Sequence, residues 1–180
     1  MIQGVALVAF LRGVNVGGHR SFKPTVLARE LEHLDVVNVG AAGNFVIRKP
    51  IAAAALREEL ARRIPFSAEI AVWKDRELME LVATDRFAGR RATPDLIRFV
   101  SVFAGRARAT PALPLRLPAR GEWLVTILGA GERFVYGLYR RRMKAIGCLG
   151  ELDRLFGVPV ITRQWSTMKT IAKVVVEGRS

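Results

Sequence analysis

Three sets of residues in this 180-residue chain could do chemistry. The first is Leu11-Arg12-Gly13-Val14-Asn15-Val16-Gly17-Gly18. Its three glycines let a backbone enter positive φ and approach a ligand closely. Successive N–H groups in such a loop form an anion-binding concavity, to which Arg12 adds charge. The competing reading is a tight crossover loop in which Asn15 bonds its own backbone. No lysine followed by serine or threonine closes the loop, so it is not a Walker A motif. The spacing of Gly13, Gly17 and Gly18 does not match the dinucleotide fingerprint.

The second set is Thr162-Arg163-Gln164-Trp165-Ser166, continued by Thr167 and Lys169. A strand ends there and a helix is expected to start, with Ser166 or Thr167 as its N-cap. Free N–H groups and a positive partial charge at a helix start favour phosphate or carboxylate. Arg163 could clamp the same anion in bidentate fashion. Trp165 could stack a base or pack the helix onto a sheet, the commoner use of tryptophan. Gly43-Asn44 reads first as turn chemistry, with Asn44 beside Arg12 as its polar alternative. The expected anion site is therefore Arg12, Gly13, Asn15, Gly17, Gly18, Asn44, Arg163, Trp165, Thr167 and Lys169.

The third set is basic and suits nucleic acid. Arg106, Arg108, Arg116, Arg120, Arg140, Arg141, Arg142 and Lys144 could contact phosphates, with Trp123 or Tyr139 stacking bases. The RNP1 pattern of the common RNA platform is missing.

Familiar catalytic sets are not visible. His19 and His33 are the two histidines and Cys148 the one cysteine, so no zinc site of the Cys/His type can form. No nucleophile elbow is present. Neither a metal nor a cofactor is expected, and whether there is any catalysis stays open. Cys148 reads as a small packed residue, and a single cysteine suits a reducing compartment.

The elements that must position these residues follow from periodicity. Val5 to Leu11 is apolar on both faces, as in a strand covered on both sides or central in a sheet. Pro24 suits the first turn of a helix carrying Leu27, Leu31 and Leu34. Residues 35–49 read as two short strands around Gly40 and Gly43. A helix over 52–64 is stopped by Pro65. A strand over 69–73 leads into a helix capped by Asp75. This order is β-α-β-β-α-β, the split ferredoxin-like pattern.

The second half is looser. Ile97 to Phe103 is a strand, and residues 104–121 form a basic, proline-rich connector without regular structure. A hairpin turns at 129–132, a helix spans 146–156 and a strand spans 158–162. The end returns to helical spacing, though Val174 to Val176 would also suit a strand. The expected fold is α+β, in two small related halves over 1–90 and 91–180. Each half is an antiparallel or mixed sheet with helices packed on one face.

Composition sets the class of partner. Hydrophobic residues make up 51% and charged residues 25%, the balance of a globular chain. Twenty-nine Lys and Arg stand against 16 Asp and Glu, a net charge of +13. Such a surface attracts polyanions and phosphorylated ligands at long range. The abundance of arginine and alanine is also what a GC-rich genome yields, so composition and function share the charge. The first apolar run is far shorter than the roughly 20 residues of a membrane span, and it lacks the flanks of a secretory signal. A cytoplasmic protein without a membrane partner is expected. No residue pattern selects an oligomeric state, and a charge-tolerant scaffold or homodimer is a third reading.

The 11–18 segment resembles the N-terminal signature of the bacterial family catalogued as domain of unknown function 1697, with Val14 in place of isoleucine. Two later landmarks follow in order: Ala42-Gly43-Asn44 for the family's serine-glycine-asparagine turn, and Thr162-Arg163-Gln164-Trp165 for its threonine-arginine-asparagine-tryptophan segment. Thr167 and Lys169 match the threonine and lysine beyond it. Ala42 and Gln164 depart from the pattern, as does Arg140 to Lys144, where the family carries a serine-lysine pair. The resemblance spans roughly residues 5–176 and implies an architecture without an activity. The function expected from the residues is binding of a phosphate-bearing or other anionic small molecule, through 11–18 and 162–169. The alternative is a sequence-tolerant nucleic-acid module.

Overall fold

The computed structural model describes residues 6–14 and 22–179. The chain divides into two compact units, Met1–Thr84 with Lys169–Ser180, and Asp85–Met168.

The first unit opens with β1 (Leu7–Leu11), α1 (Pro24–Glu30), β2 (Val36–Asn38), β3 (Asn44–Ile47), α2 (Ala53–Arg63) and β4 (Ile70–Lys74). Its strands lie in the order β2-β3-β1-β4, with every neighbour antiparallel. That is the ferredoxin-like order: each helix returns the chain to a strand lying two places away in the sheet. Leu27, Leu31, Leu56 and Leu60 form the helix stripes, and they pack on Leu7, Ala9, Leu11, Phe45, Ile47 and Val72 of the sheet. The predicted first helix is shorter than its leucine spacing implied. After Glu30 a single 3-10 turn (Glu32–Leu34) brings in Leu34, and Asp35 ends it in the left-handed region at φ 51°.

The opposite face of this sheet is buried too. Val8, Phe10, Val46, Ala71 and Trp73 are no more than 1% exposed, which accounts for β1 being apolar on both faces. Phe10 and Trp73 meet edge to face at 5.8 Å. Arg48, in phase with Val46, donates to the Val174 carbonyl of α6 (Trp165–Glu177) at 3.4 Å.

Helix α3 (Asp75–Ala83) follows β4 directly. Asp75 is its first residue rather than its cap. The Glu77 carboxylate instead accepts the Lys74 N–H at 2.7 Å. Asp75, 6% exposed, accepts from the Arg76 N–H and the Arg179 guanidinium, each at 2.7 Å.

The second unit contains β5 (Leu96–Phe103), β6 (Leu115–Leu117), β7 (Val125–Ala130), β8 (Phe134–Arg140), α4 (Met143–Gly150), α5 (Leu152–Phe156) and β9 (Val160–Gln164). Its antiparallel sheet runs β6-β7-β8-β5-β9. Without β6, the order β7-β8-β5-β9 repeats the order of the first unit strand for strand. The two halves are thus related in topology: the connector replaces the first helix, and α4 with α5 replaces the second. Phe99, Phe103, Val125, Ile127 and Val135 pack against Ala145, Leu152 and Phe156.

Two local expectations are corrected here. The connector is not wholly irregular, because Leu115–Leu117 pairs with β7 as an edge strand. Prolines at 114 and 118 flank that strand, where a missing donor harms no central ladder, and Leu117 sinks into the core at 6% exposure. The predicted helix over 146–156 begins three residues earlier and breaks at Glu151 into α4 and α5. Gly157, at φ 63°, ends it as expected.

Candidate functional site

At one end of the first sheet, the 11–14 turn and the Gly43 turn are packed together. Phe10 pairs with Asn44 across β1 and β3. The Leu11 N–H donates to the Gly43 carbonyl at 2.8 Å, and the Arg12 N–H to the Glu69 carbonyl at 2.9 Å. Gly13 and Gly43 take φ of 82° and 78°. A Cβ on Gly43 would sit 2.9 Å from Leu11 Cβ and 3.0 Å from Val14 Cγ2, so glycine is required for the approach.

The Arg12 N–H is part of the sheet and does not contribute to an anion concavity. Asn44 is 1% exposed and donates its amide to the Val39 carbonyl at 3.0 Å, as the turn reading anticipates. Asn15, Gly17 and Gly18 lie outside the described residues.

The 162–169 segment passes from strand to helix without a linker: β9 ends at Gln164 and α6 starts at Trp165. Gln164 therefore precedes the helix, and the expected Ser166 or Thr167 cap is two to three residues late. Thr162 engages Ser101 hydroxyl to hydroxyl at 2.6 Å. Arg163, opposite Val100 on β5, donates to the Thr162 carbonyl at 2.9 Å. Burial pulls its guanidinium down to about 10, which leaves it charged at neutral pH. Trp165 is 8% exposed, with its ring 5.3 Å from Phe87. It packs the unit rather than offering a stacking face. Arg163, Trp165 and Thr167 belong to the second unit, and Arg12, Asn44 and Lys169 to the first.

The basic residues of the second unit separate into three places. Arg108 lies at the end of α5, its N–H donating to the Phe156 carbonyl at 2.9 Å, with Arg106 two residues before it. Arg116 is on the edge strand β6, opposite Thr126. The remaining five lie on the β6–β7 loop, at the end of β8 and in the first turn of α4, and one acidic side chain, Glu122, pairs with two of them. Arg140 stacks over the Trp123 ring at 4.4 Å, donates to the Trp123 carbonyl at 2.9 Å and lies 3.8 Å from Glu122. Arg142 bonds the other Glu122 oxygen at 2.7 Å.

Arg120 lies on the same loop as Glu122, and Arg141 is fixed by donation to the Pro94 carbonyl at 3.1 Å. Lys144 is in the first turn of α4. Arg120, Arg141, Arg142 and Lys144 are exposed. Arg140 and Arg142 share the Glu122 carboxylate. With the exposed Arg120, Arg141 and Lys144 they give the β6–β7 loop and the end of β8 a positive surface with two guanidinium groups held in fixed positions. Such pre-positioned planes lower the ordering cost of binding phosphate.

Of the two aromatics expected to stack bases, Trp123 is half-buried under Arg140, and Tyr139 is engaged elsewhere. Tyr139 packs 5.9 Å from Phe99. Burial raises its phenol, against the opposing pull of the Arg141 charge and a Gln164 hydrogen bond.

Sequence reasoning missed Glu122, which organises the patch. An acidic residue beside Trp123 carries no signal until β7 and β8 bring it to Arg140 and Arg142. Among the described residues, no group of three or more His, Cys, Asp or Glu could hold a metal ion, and no helix is long and apolar enough to cross a membrane.

Cys148 is buried on α4, and burial, followed by the Glu151 charge, raises its thiol. Its thiolate fraction at neutral pH is correspondingly small. Alkylation of the native protein by iodoacetamide at neutral pH should therefore run at least about tenfold slower than in denaturant. Equal rates would show the thiol to be accessible and its core placement wrong.

The strand order and the packed turns define a class: an α+β chain of two units that share a ferredoxin-like strand order, the first with its full set of helices and a glycine turn at the end of β1. The family described as "Protein of unknown function (DUF1697)" matches residues 5–118, and the chain belongs to that family. In fold the chain is similar to a conserved bacterial protein, SP0830 from Streptococcus pneumoniae. That similarity has a TM-score of 0.61 at 15% identity, over 94% of this chain and 97% of the other. No curated protein matches the sequence.

Proposed function

We propose that this protein binds single-stranded nucleic acid, without strong sequence preference, through the patch of Arg120, Arg140, Arg141, Arg142 and Lys144. The observation that carries the reading is the sharing of Glu122 by Arg140 and Arg142, with Arg140 laid on Trp123. A surface that merely tolerates charge has no need to hold its guanidinium groups in register. The net charge of +13 adds long-range attraction of the same sign.

A second reading, a small phosphate-bearing ligand at the end of β1, draws on Arg12 beside the close-packed Gly13 and Gly43 turns.

The two readings separate in one experiment. Anisotropy of a labelled RNA of about 16 nucleotides is measured with the native protein, with the triple variant Arg120→Glu, Arg142→Glu, Lys144→Glu, and with Arg12→Ala. The triple variant should weaken binding at least about tenfold, since three phosphate contacts become repulsions. Arg12→Ala should leave it unchanged. The reverse pattern would move the site to the glycine turn and sink the patch.

A further inference from the structure

A different surface of the first unit carries a site of another kind. Helix α3 and the 169–177 part of α6 border a groove of about 420 Å³ lined by Met79, Val82, Lys169, Ala172, Lys173, Val176 and Glu177. Small-molecule sites run from about 300 to 1,000 Å³. Met79 and Val82 stand one turn apart on α3, as do Ala172 and Val176 on α6, so the floor is an apolar strip between two helices. Val176 is 47% exposed, one of the large apolar side chains on the described surface. The walls are held: Asp75 at the start of α3 bonds Arg179 beyond α6, and Arg48 of β3's continuation bonds Val174.

We propose that this groove binds a free, medium-chain acyl carboxylate, with its chain along the apolar floor and its head on Lys169 and Lys173. The lysines lie four residues apart on one helix face, so both ammonium groups can reach one carboxylate. Glu177 lies one further turn beyond Lys173 on the same face, so Lys169 marks the end farthest from the carboxylate, and the anionic head is directed there. Charge also selects against other occupants. A net charge of +13 opposes self-association, and a phosphate backbone gains nothing from the apolar floor. The inference is independent of the nucleic-acid patch, with which it shares no residue.

The test is a fluorescence titration of the full chain with a dansyl-labelled medium-chain carboxylate, followed by displacement with dodecanoate or with its methyl ester. Saturable one-to-one binding is expected, displaced by dodecanoate and not by the ester. Lys169→Glu with Lys173→Glu should weaken it at least about tenfold, and Val82→Asp should abolish it. Both lysines are exposed, so an unchanged thermal midpoint checks that the double variant is folded. No saturable signal up to millimolar probe would overturn the proposal, as would full binding by the charge-reversed variant or displacement by the ester. So would a native dimer by light scattering that Val176→Asp converts to monomer, because the groove would then be a self-interface.

Discussion

Replacing Gly137 with alanine is expected to destabilise the second unit by about 3 kcal/mol or more, at the top of the range for overpacked cores. Gly137 lies in the middle of β8, between Phe99 of β5 and Ile127 of β7. Glycine inside a strand ordinarily costs about 0.5–1 kcal/mol relative to alanine, so the substitution would normally stabilise. Here the new Cβ would collide with the backbone carbonyl oxygen of Thr126 and come to 3.0 Å from Phe99 Cε1. A side chain can rotate away, but a carbonyl held in the ladder cannot. The steric clash therefore outweighs the entropic gain. Urea unfolding followed by near-UV circular dichroism checks the prediction, since Trp123 and Trp165 both report on this unit. A midpoint equal to or above that of the native protein would refute the account of β7–β8 packing.

Truncating Phe45 to alanine should cost about 3–5 kcal/mol, the range for a buried phenylalanine that leaves a cavity. Phe45 is fully buried on β3, pairing with Ala9 and Asn38 and facing the leucines of α1 and α2. Its neighbours belong to a sheet and two helices that cannot collapse independently into the space. Phe45→Leu keeps most of the volume and should cost less than about 1.5 kcal/mol. Equal losses for the two variants would mean that the site tolerates no change of shape and that the cavity does not set the cost. Chemical denaturation of the two variants side by side distinguishes these cases.

Much of the architecture was legible because it rests on local patterns. Val8 and Phe10 alternate with Leu7, Ala9 and Leu11, all apolar, and so announced a strand buried on both faces. Gly43 and Gly157 occupy positive-φ positions that few other residues accept. The ferredoxin-like order of the first unit followed from the sequence of elements alone. What the sequence hid depended on partners far along the chain. Leu115–Leu117 becomes a strand because β7 offers an edge, and nothing inside a proline-rich stretch signals that edge. The break at Glu151 separates two helices whose apolar spacing is nearly continuous.

The candidate sites divide in the same way. Gly13 and Gly43 were readable as backbone requirements, and the buried roles of Asn44 and Trp165 were among the readings their residue types allow. The basic residues were readable as a set without an arrangement. Only the β7–β8 pairing draws Arg140 and Arg142 onto Glu122 and leaves Arg106, Arg108 and Arg116 elsewhere. The α3–α6 groove gave no sequence signal, because Val82 and Val176 each look like an ordinary core position on its own helix.

The central claim is that the patch, and not net charge, binds nucleic acid. It is tested most directly by the salt dependence of RNA binding for the native protein and two variants of equal charge. One reverses Arg120, Arg142 and Lys144 to glutamate; the other reverses Arg29, Arg57 and Arg62, exposed on α1 and α2 of the first unit. Five phosphate contacts to a single strand predict a slope of log K against log salt of about −3.5 for the native protein. Loss of three contacts should flatten it by about 2 in the patch variant, while the control variant keeps the native slope. Equal flattening in both variants would contradict the account, because only the total charge would then matter.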